Sequence, residues 1–535
     1  MKYKIHYASF ISVLPLQLNH IREEFLHAKP LKSRPIGRNQ TLQMIFILVF
    51  SFLNLHSLSG STSTDNTAGS IIYPYNATTA IVKPGQSFDV WFNSKPGQVV
   101  SSVVLKGPYN TALIPSESIT TVSGSWEYDP VSENTYNTKI KVRVPQEIPE
   151  DRYDLILNTS GGEVISRSAV KVIREYKTNY KIFLIADSHY GQRGTEVMVP
   201  NKHTAFVEMA NIINPDIVVN AGDVVYYHSD PSQLKERMDL FYQGNEAEGL
   251  KGMHDFNAAT FVIAGNHDYP EGGIDGLPRE GYNDLKSDYW NRWHGLQYHF
   301  FRYGNSRFMI FNNGWLGYDW HWQRDRAANW LNGEGSNGNL NVALAHISRT
   351  EYMDSFASEN DIGLYLLGHN HHLGDRNPYM IDERQVMYYI RSVREYMEFM
   401  LFRVDDSKGT FMPVGYTNTD PDTDGYGLST ANNRVLENDE ERTNPDMSVW
   451  IYNLTLDYEH DNNGSSSYNT ATLINKFDYA ISDARVRFIM PQGAVYRVSQ
   501  GSVYQAFDGD KYHVVDVDIH LNASSKTVVK IAPEN

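Results

Sequence analysis

Along residues 70–175 apolar side chains alternate with polar ones, as in Ser87–Phe92, Lys139–Val144 and Tyr153–Leu157, with Pro and Gly turns between the runs. A period of two puts every second residue on one face, so these runs predict half-buried strands and, at this spacing, a fibronectin- or Ig-like β-sandwich over residues 68–176. From about residue 178 the texture changes. Short, wholly apolar runs read as buried strands and alternate with helical spacings such as Phe206, Met209, Ala210 and Ile213, which stop before Pro215. This predicts an α/β domain over residues 178–405. Residues 406–445 are polar and turn-rich and read as a linker or long surface loop. Alternation returns in Ala484–Ile489, His513–His520 and Thr527–Ile531, which predicts a second all-β sandwich over residues 446–535.

The most apolar run, Met44–Leu53, is short for a membrane span. Lys29, Lys32, Arg34 and Arg38 precede it and the small, polar string Ser57–Thr64 follows, which is the order of a secretory signal. Residues 1–60 are therefore expected to be an export leader, with an uncleaved N-terminal membrane anchor as the alternative. Asn-x-Ser/Thr sequons at Asn76, Asn158, Asn453, Asn463 and Asn522 agree with export and glycosylation. The expected product is secreted or held at the cell envelope, and its mature chain carries no stable transmembrane span.

With 535 residues, 41% apolar and 21% charged, the composition is that of a folded multidomain protein. The chain has no cysteine, which excludes disulfides, thiolate zinc sites, cysteine nucleophiles and iron–sulfur clusters. Its net charge of -16 argues against a general nucleic-acid binder, so any bound phosphate needs something other than a basic face. Asp420–Gly425 opens like a structural calcium loop, but Ala431 stands where a bidentate Glu is required, and a solvated turn is the stronger expectation.

Five polar motifs each follow an apolar run. Ile182–Ala186 leads to Asp187, Ser188 and His189; Asp216–Val219 to Gly222 and Asp223; Thr260–Ile263 to Gly265, Asn266, His267 and Asp268; Asn341–Leu344 to His346; and Gly363–Leu367 to Gly368, His369, Asn370 and His371. Ligands bind at the carboxyl ends of strands in α/β sheets, so these loops can converge on one rim. The residue types suit two metal ions, which sit about 3.5–4 Å apart in such sites and need a bridging anion. Asp223 can give one oxygen to each ion. Asp187, His189 and His371 would complete the shell of the first, and Asn266, His346 and His369 that of the second. Histidine-rich ligation favours Mn, Fe or Zn over Ca or Mg. A solvent molecule shared by two such ions becomes a hydroxide nucleophile at accessible pH, and the ions neutralise a phosphoryl group. His267 would then protonate the leaving oxygen, with Asp268 orienting its ring.

In order and type these motifs resemble the calcineurin-like metallophosphoesterase superfamily, whose motifs read D-x-H, G-D, G-N-H-D/E, a lone His and G-H-x-H. The resemblance spans residues 180–405 and implies a four-layer α/β/β/α sandwich with a dinuclear centre of divalent or trivalent ions. A narrower resemblance is to purple acid phosphatases, which carry an N-terminal sandwich and read G-D-x-x-Y, as Gly222–Tyr226 does. Those enzymes use the tyrosinate in place of the His of D-x-H; with His189 present, Tyr226 is expected to pack beside the metals without ligating them.

Substrate contacts are expected from Asn266 and His267, and from Tyr190, His228 and Arg391 in neighbouring loops, with Tyr227, His254 and Arg394 nearby in sequence. The aromatic segment Trp315–Trp322 is expected to cap the sheet. The resulting expectation is an exported enzyme hydrolysing small phosphomonoesters by in-line attack of a metal-bridging hydroxide. A phosphodiesterase or nucleotide hydrolase of the same superfamily is the alternative, and a cell-envelope adhesion or binding protein the non-enzymatic one.

Overall fold

The computed structural model describes residues 68–122, 136–192, 198–226, 231–268, 295–296, 298–313, 321–333, 338–347, 350–369, 379–380, 386–389, 398–414 and 453–534. The leader, the Asp420–Gly425 turn and residues 314–320 of the aromatic segment lie outside these.

The N-terminal module contains β1 (Ser70–Tyr73), β2 (Ala80–Val82), β3 (Ser87–Asn93), β4 (Val100–Lys106), β5 (Thr111–Ile114), β6 (Ser116–Thr121), β7 (Thr138–Arg143), β8 (Asp151–Thr159) and β9 (Gly162–Val172). They form two sheets, β1-β3-β7-β6 and β2-β9-β8-β4-β5. Val90, Phe92, Ile140 and Val142 of the first sheet and Val103, Leu105, Leu155 and Leu157 of the second share one buried cluster. All are separated by two along their strands, as the pleat requires.

The next module contains β10 (Asn179–Ile185), α1 (Met198–Ile213), β11 (Ile217–Asn220), α2 (Pro231–Gln243), β12 (Ala259–Val262), β13 (His299–Tyr303), β14 (Ser306–Ile310), α3 (His321–Gly333), β15 (Leu340–Leu344), α4 (Thr350–Glu359), β16 (Ile362–Leu367), β17 (Tyr379–Met380), β18 (Val386–Tyr389), β19 (Met400–Asp405) and β20 (Thr410–Val414). One sheet has the order β12-β11-β10-β19-β20 and the other β13-β14-β15-β16-β18-β17. In the first, β10, β11 and β12 run parallel; in the second, β14, β15, β16 and β18 do. Alternate residues divide the core. Ile182 and Leu184 of β10 and Phe308, Ile310, Val342, Leu344, Leu364 and Leu366 of the other sheet belong to one cluster. Phe183 and Ile185 fall into a cluster with α1, whereas Met309, Ala343, Tyr365 and Leu367 pack with Ala327 and Leu331 of α3 and Phe356 of α4. Residues 410–414 of the expected linker are strand β20, paired antiparallel to β19 through a turn at Ser407–Gly409, and residues 415–445 lie outside the described residues.

The C-terminal module contains β21 (Leu454–Tyr458), β22 (Asn469–Asn475), β23 (Ile481–Met490), β24 (Tyr496–Val498), β25 (Ser502–Asp508), β26 (His513–Leu521) and β27 (Ser525–Pro533), in sheets ordered β21-β22-β27-β24 and β23-β26-β25. Its core is not separate. Val486, Phe488, Val517, Val529 and Ile531 share one apolar cluster with Phe206, Met209, Ala210 and Ile213 of α1. Lys181 strengthens this junction, because its buried ammonium donates to Ile213 O at 2.6 Å and Ser482 O at 2.8 Å. A third set of contacts joins the two β modules: Gln505 bonds to both backbone groups of Glu150, and Thr111 Oγ1 donates to Asp510 at 2.9 Å. No helix among the described residues is long and apolar enough to cross a membrane.

Candidate metal centre

The loops after β10 and β11 run side by side beyond the strands themselves. Asp187 N–H donates to Gly222 O, His189 N–H to Asp223 O and Tyr190 N–H to Val224 O, at 2.8–2.9 Å, and Tyr226 N–H returns to Tyr190 O at 3.0 Å. This pairing places Asp187, His189 and Asp223 together, all at most 1% exposed. The loop after β12 is fixed to the same rim, since His267 N–H donates to Asp223 Oδ1 at 2.8 Å. Asp268 ties two loops at once: its Oδ2 accepts Gly265 N–H at 2.8 Å and its Oδ1 accepts Val225 N–H at 3.1 Å.

Backbone strain is concentrated here. Of nine non-glycine residues with positive φ among the described residues, four are Asp187 (56°), His189 (50°), Asp223 (52°) and His369 (69°). Left-handed conformations are costly outside glycine and persist where surrounding structure enforces them, commonly at functional sites. The motif glycines have a matching explanation in close approach. A Cβ on Gly265 would lie 2.1 Å from Asp223 Oδ1 and 2.2 Å from Asp223 N, and one on Gly222 would lie 2.7 Å from His346 Nδ1.

His346, fully buried, faces the cluster from the loop after β15. Its Nδ1 donates to Ala221 O at 2.6 Å, which leaves Nε2 directed at Asp223 Oδ2 and Asn266 Oδ1, each 3.2 Å away. An outer partner on one ring nitrogen is how a ligating histidine is normally oriented. Burial works against a charged imidazole here, but the Asp223 carboxylate outweighs it and pushes the His346 pKa up to about 9. Asp223 is correspondingly held well below the carboxylate range: burial opposes its charge, but His346, His189 and His267 overcome it. Burial, and secondly the Asp223 charge, pushes Asp268 up to about 7. His267 is drawn down to about 4, chiefly by burial, against the pull of Asp223. From the loop after β16, His369 N–H donates to both Asp187 oxygens at 3.0 and 3.2 Å.

The donor chemistry fits metal. Ligand atoms of His189, Asp223 and His267 lie within 4.8 Å of one another, and so do those of Asp223, His346 and His369. Asp223 is common to both groups. One of its oxygens, Oδ2, stands 3.7 Å from His189 Nε2 on one side and 3.2 Å from His346 Nε2 on the other. Asp187 Oδ1 is 3.8 Å from the same His189 nitrogen. Imidazoles and carboxylates crowded in this way, with no Lys or Arg among these contacts, form a low-charge cage that a divalent cation satisfies.

Several sequence expectations change. Tyr190 is not a substrate contact: it is 1% exposed, belongs to the core beneath α1, and packs edge-on against Phe241 and His203 at 5.6 and 6.0 Å. The cause is the bridge between Tyr190 and Val225, which turns the side chain after His189 inward. His254 lies elsewhere, lining a cleft of about 780 Å³ between the three modules, with its Nε2 3.3 Å from Asn76 Oδ1. His228, His371 and Arg391 lie outside the described residues, as do Tyr227 and Arg394. One contributor escaped the sequence reading. Buried Asn313 accepts the backbone N–H groups of His346 and Ile347 on its Oδ1 at 3.1 and 3.0 Å, and so sets the loop that carries His346. The only local signal for it is an Asn pair directly after an apolar strand.

Comparison with known proteins agrees with this geometry at the level of the domain. Residues 180–373 match the family model of the calcineurin-like phosphoesterases. A search of curated proteins finds no match to the chain. Among solved structures, the chain is similar to the sulfate thiohydrolase SoxB of Thermus thermophilus, at 13% identity and a TM-score of 0.28, over 44% of this chain and 55% of that one. It thus spans about half the length of that enzyme. It is also similar to a cold-active protein-tyrosine phosphatase of a Shewanella species, at 13% identity and a TM-score of 0.21, over 44% of this chain and 80% of that one. Five motifs on converging loops, a shared carboxylate between two donor groups and the family match over the same residues lead to one identification: residues 180–373 carry a calcineurin-like phosphoesterase domain.

Proposed function

We propose that this protein is an exported phosphomonoesterase working through a dinuclear metal centre. The observation that carries the reading is Asp223, whose carboxylate belongs to two separate donor groups. Asp187, His189 and the Asp223 carboxylate would hold one ion, joined by His371, and Asp223, Asn266, His346 and His369 the other. Mn, Fe or Zn ions bound there would lower the pKa of a shared water and neutralise the phosphoryl oxygens, which a chain of net charge -16 must achieve without a basic face. His267 belongs to the first of these groups but is the member open to solvent, with its side chain 17% exposed, and is the group placed to deliver a proton to the departing oxygen. Asp268 holds the loop of His267 against that of Asp223.

Three apolar clusters, one between the two central sheets and one outside each, support the four-layer reading of the domain. Export rests on the leader sequence and on the sequons, of which Asn463 and Asn522 are exposed on turns of the C-terminal module. Secretion and cell-envelope attachment are both compatible with that order of modules.

Purified protein reconstituted with Mn, Fe or Zn is expected to hold close to two ions per chain and to hydrolyse p-nitrophenyl phosphate faster than bis(p-nitrophenyl) phosphate. Asp223→Asn is expected to lose metal and activity together. Preference for the diester would replace this reading with a phosphodiesterase, and full activity in Asp223→Asn would end it. Sequencing of the mature N-terminus tests export, and an intact Met1 in a cytosolic fraction would refute it.

A further inference from the structure

The ring of Tyr226 lies parallel to that of His267, with centroids 5.1 Å apart and an interplanar angle of 19°. The edge of the same imidazole meets His189, at 4.8 Å and 69°. His189 also contacts Tyr226, at 5.7 Å. Three rings from three different loops therefore enclose one another beside Asp223. The backbone at Tyr226 is fixed on both sides: its own N–H donates to Tyr190 O at 3.0 Å, and the preceding N–H, of Val225, donates to Asp268 Oδ1 at 3.1 Å. Asp268 follows His267 directly in sequence. Its carboxylate thus draws the Val225–Tyr226 segment over the ring of its own neighbour.

We infer that Tyr226 is a positioning residue that sets the plane of the His267 imidazole by stacking on it, and that its aromatic face, not its hydroxyl, does this. The consequence for catalysis rests on the phosphoesterase reading above, in which His267 protonates the leaving oxygen. Proton delivery requires the ring nitrogen to lie within hydrogen-bond reach of that oxygen, and an imidazole free to rotate about its χ2 meets this requirement only part of the time. The benefit should appear where protonation matters most. Esters with poor leaving groups, such as alkyl phosphates, need the acid, whereas p-nitrophenolate departs without it.

Two measurements test the inference, on full-length Zn-loaded wild type, Tyr226→Phe and Tyr226→Leu. In protein carrying ring-labelled histidine, the His267 signals are expected to show the ring-current shift of a stacked partner in wild type and in Tyr226→Phe, and to lose it in Tyr226→Leu. Against a series of phosphomonoesters, Tyr226→Leu is expected to lower kcat for alkyl esters by about tenfold to a hundredfold while p-nitrophenyl phosphate changes by less than about threefold. KM and metal content should stay near wild type, and Tyr226→Phe should restore the alkyl rates. An unchanged His267 shift in Tyr226→Leu overturns the inference. So does a Tyr226→Phe variant as impaired as Tyr226→Leu, a loss of metal in Tyr226→Phe, which would make the hydroxyl a ligand, or a loss of metal in Tyr226→Leu alone, which would make the ring a support of the metal site and not of His267. If wild type hydrolyses no phosphate ester, the functional reading fails, and the His267 shift still decides the positioning role.

Discussion

Arg487 of the C-terminal module lies 3.0 Å from Asp151 of the N-terminal one, and the same guanidinium holds Asp516 through Nε and Nη2 at 2.7 and 2.9 Å. Asp151 and Asp516 are both at most 2% exposed, so this guanidinium bridges two buried carboxylates from different modules, with Arg485 3.9 Å from Asp516 as a second cation. Removing one partner of a buried pair costs more than the pair contributes, because the remaining charge is left in a poor solvent. Arg487→Ala is expected to destabilise the protein by about 3–5 kcal/mol, read as a shift of the first urea transition. Arg487→Lys should recover little, since an ammonium cannot make the two-pronged contact.

Acid should weaken the fold through two buried histidines. Burial draws His203 and His254 down to about 3, against an ordinary value of 6.5. Between those limits the unfolded chain binds protons that the folded one refuses, so stability is lost as pH falls below about 6.5 and is unaffected by these groups above it. Each contributes a slope of about 1.4 kcal/mol per pH unit. His203 is surrounded by Tyr190, Phe241 and Phe256, and His203→Phe should flatten the pH dependence of the urea midpoint by that amount between pH 6 and 4. An unchanged slope would show that His203 is protonated in the folded protein.

Gly265→Ala should act as a metal-site mutation without replacing a ligand. The new methyl would meet both the carboxylate and the backbone nitrogen of Asp223 at little over 2 Å, and backbone cannot rotate away. Metal content measured by mass spectrometry is expected to fall below one ion per chain, with activity reduced by about a hundredfold or more. Full occupancy in this variant would mean that the loop after β12 can withdraw from Asp223.

Asn313→Ala tests an outer support of the site. Its amide holds the N–H groups of His346 and Ile347, so the substitution frees the loop that aims His346 at Asp223. Outer partners of metal-ligating histidines typically matter by about 10–100-fold in metal affinity. That loss, titrated with Zn and a competing chelator, is the expected result; affinity within about twofold of wild type would assign Asn313 to folding alone.

The parts of this site that could be read from sequence are those whose pattern is local. Asp187, Asp223, Asn266, His346 and His369 each stand a few residues beyond an apolar run, and both the run and the motif are visible without knowing what the strand pairs with. Tyr190 shows where this fails. Beside His189 it reads as a polar aromatic of the site, and only the pairing of its loop with Val225, a separate stretch of chain, turns it into the core. Asn313 was illegible for the same reason, because its role arises from β14 lying next to β15. Alternation in the last ninety residues correctly indicated strands with one buried face, but periodicity states that a face is covered and never by what. Part of that cover proved to be α1, packed on β21 and β23.

That partnership has a consequence for how the protein is made. The helix α1, whose Phe206 and Ile213 belong to the apolar cluster shared with the C-terminal module, packs against β21 and β23 of that module, so part of its shelter is synthesised after the domain it belongs to. While the ribosome is still extending the chain, the hydrolase domain can pair its strands but cannot close its outer layer. Maturation should therefore be post-translational and nearly all-or-none, and a chain stopped after β20 should be recovered bound to chaperones or aggregated instead of as a smaller working enzyme.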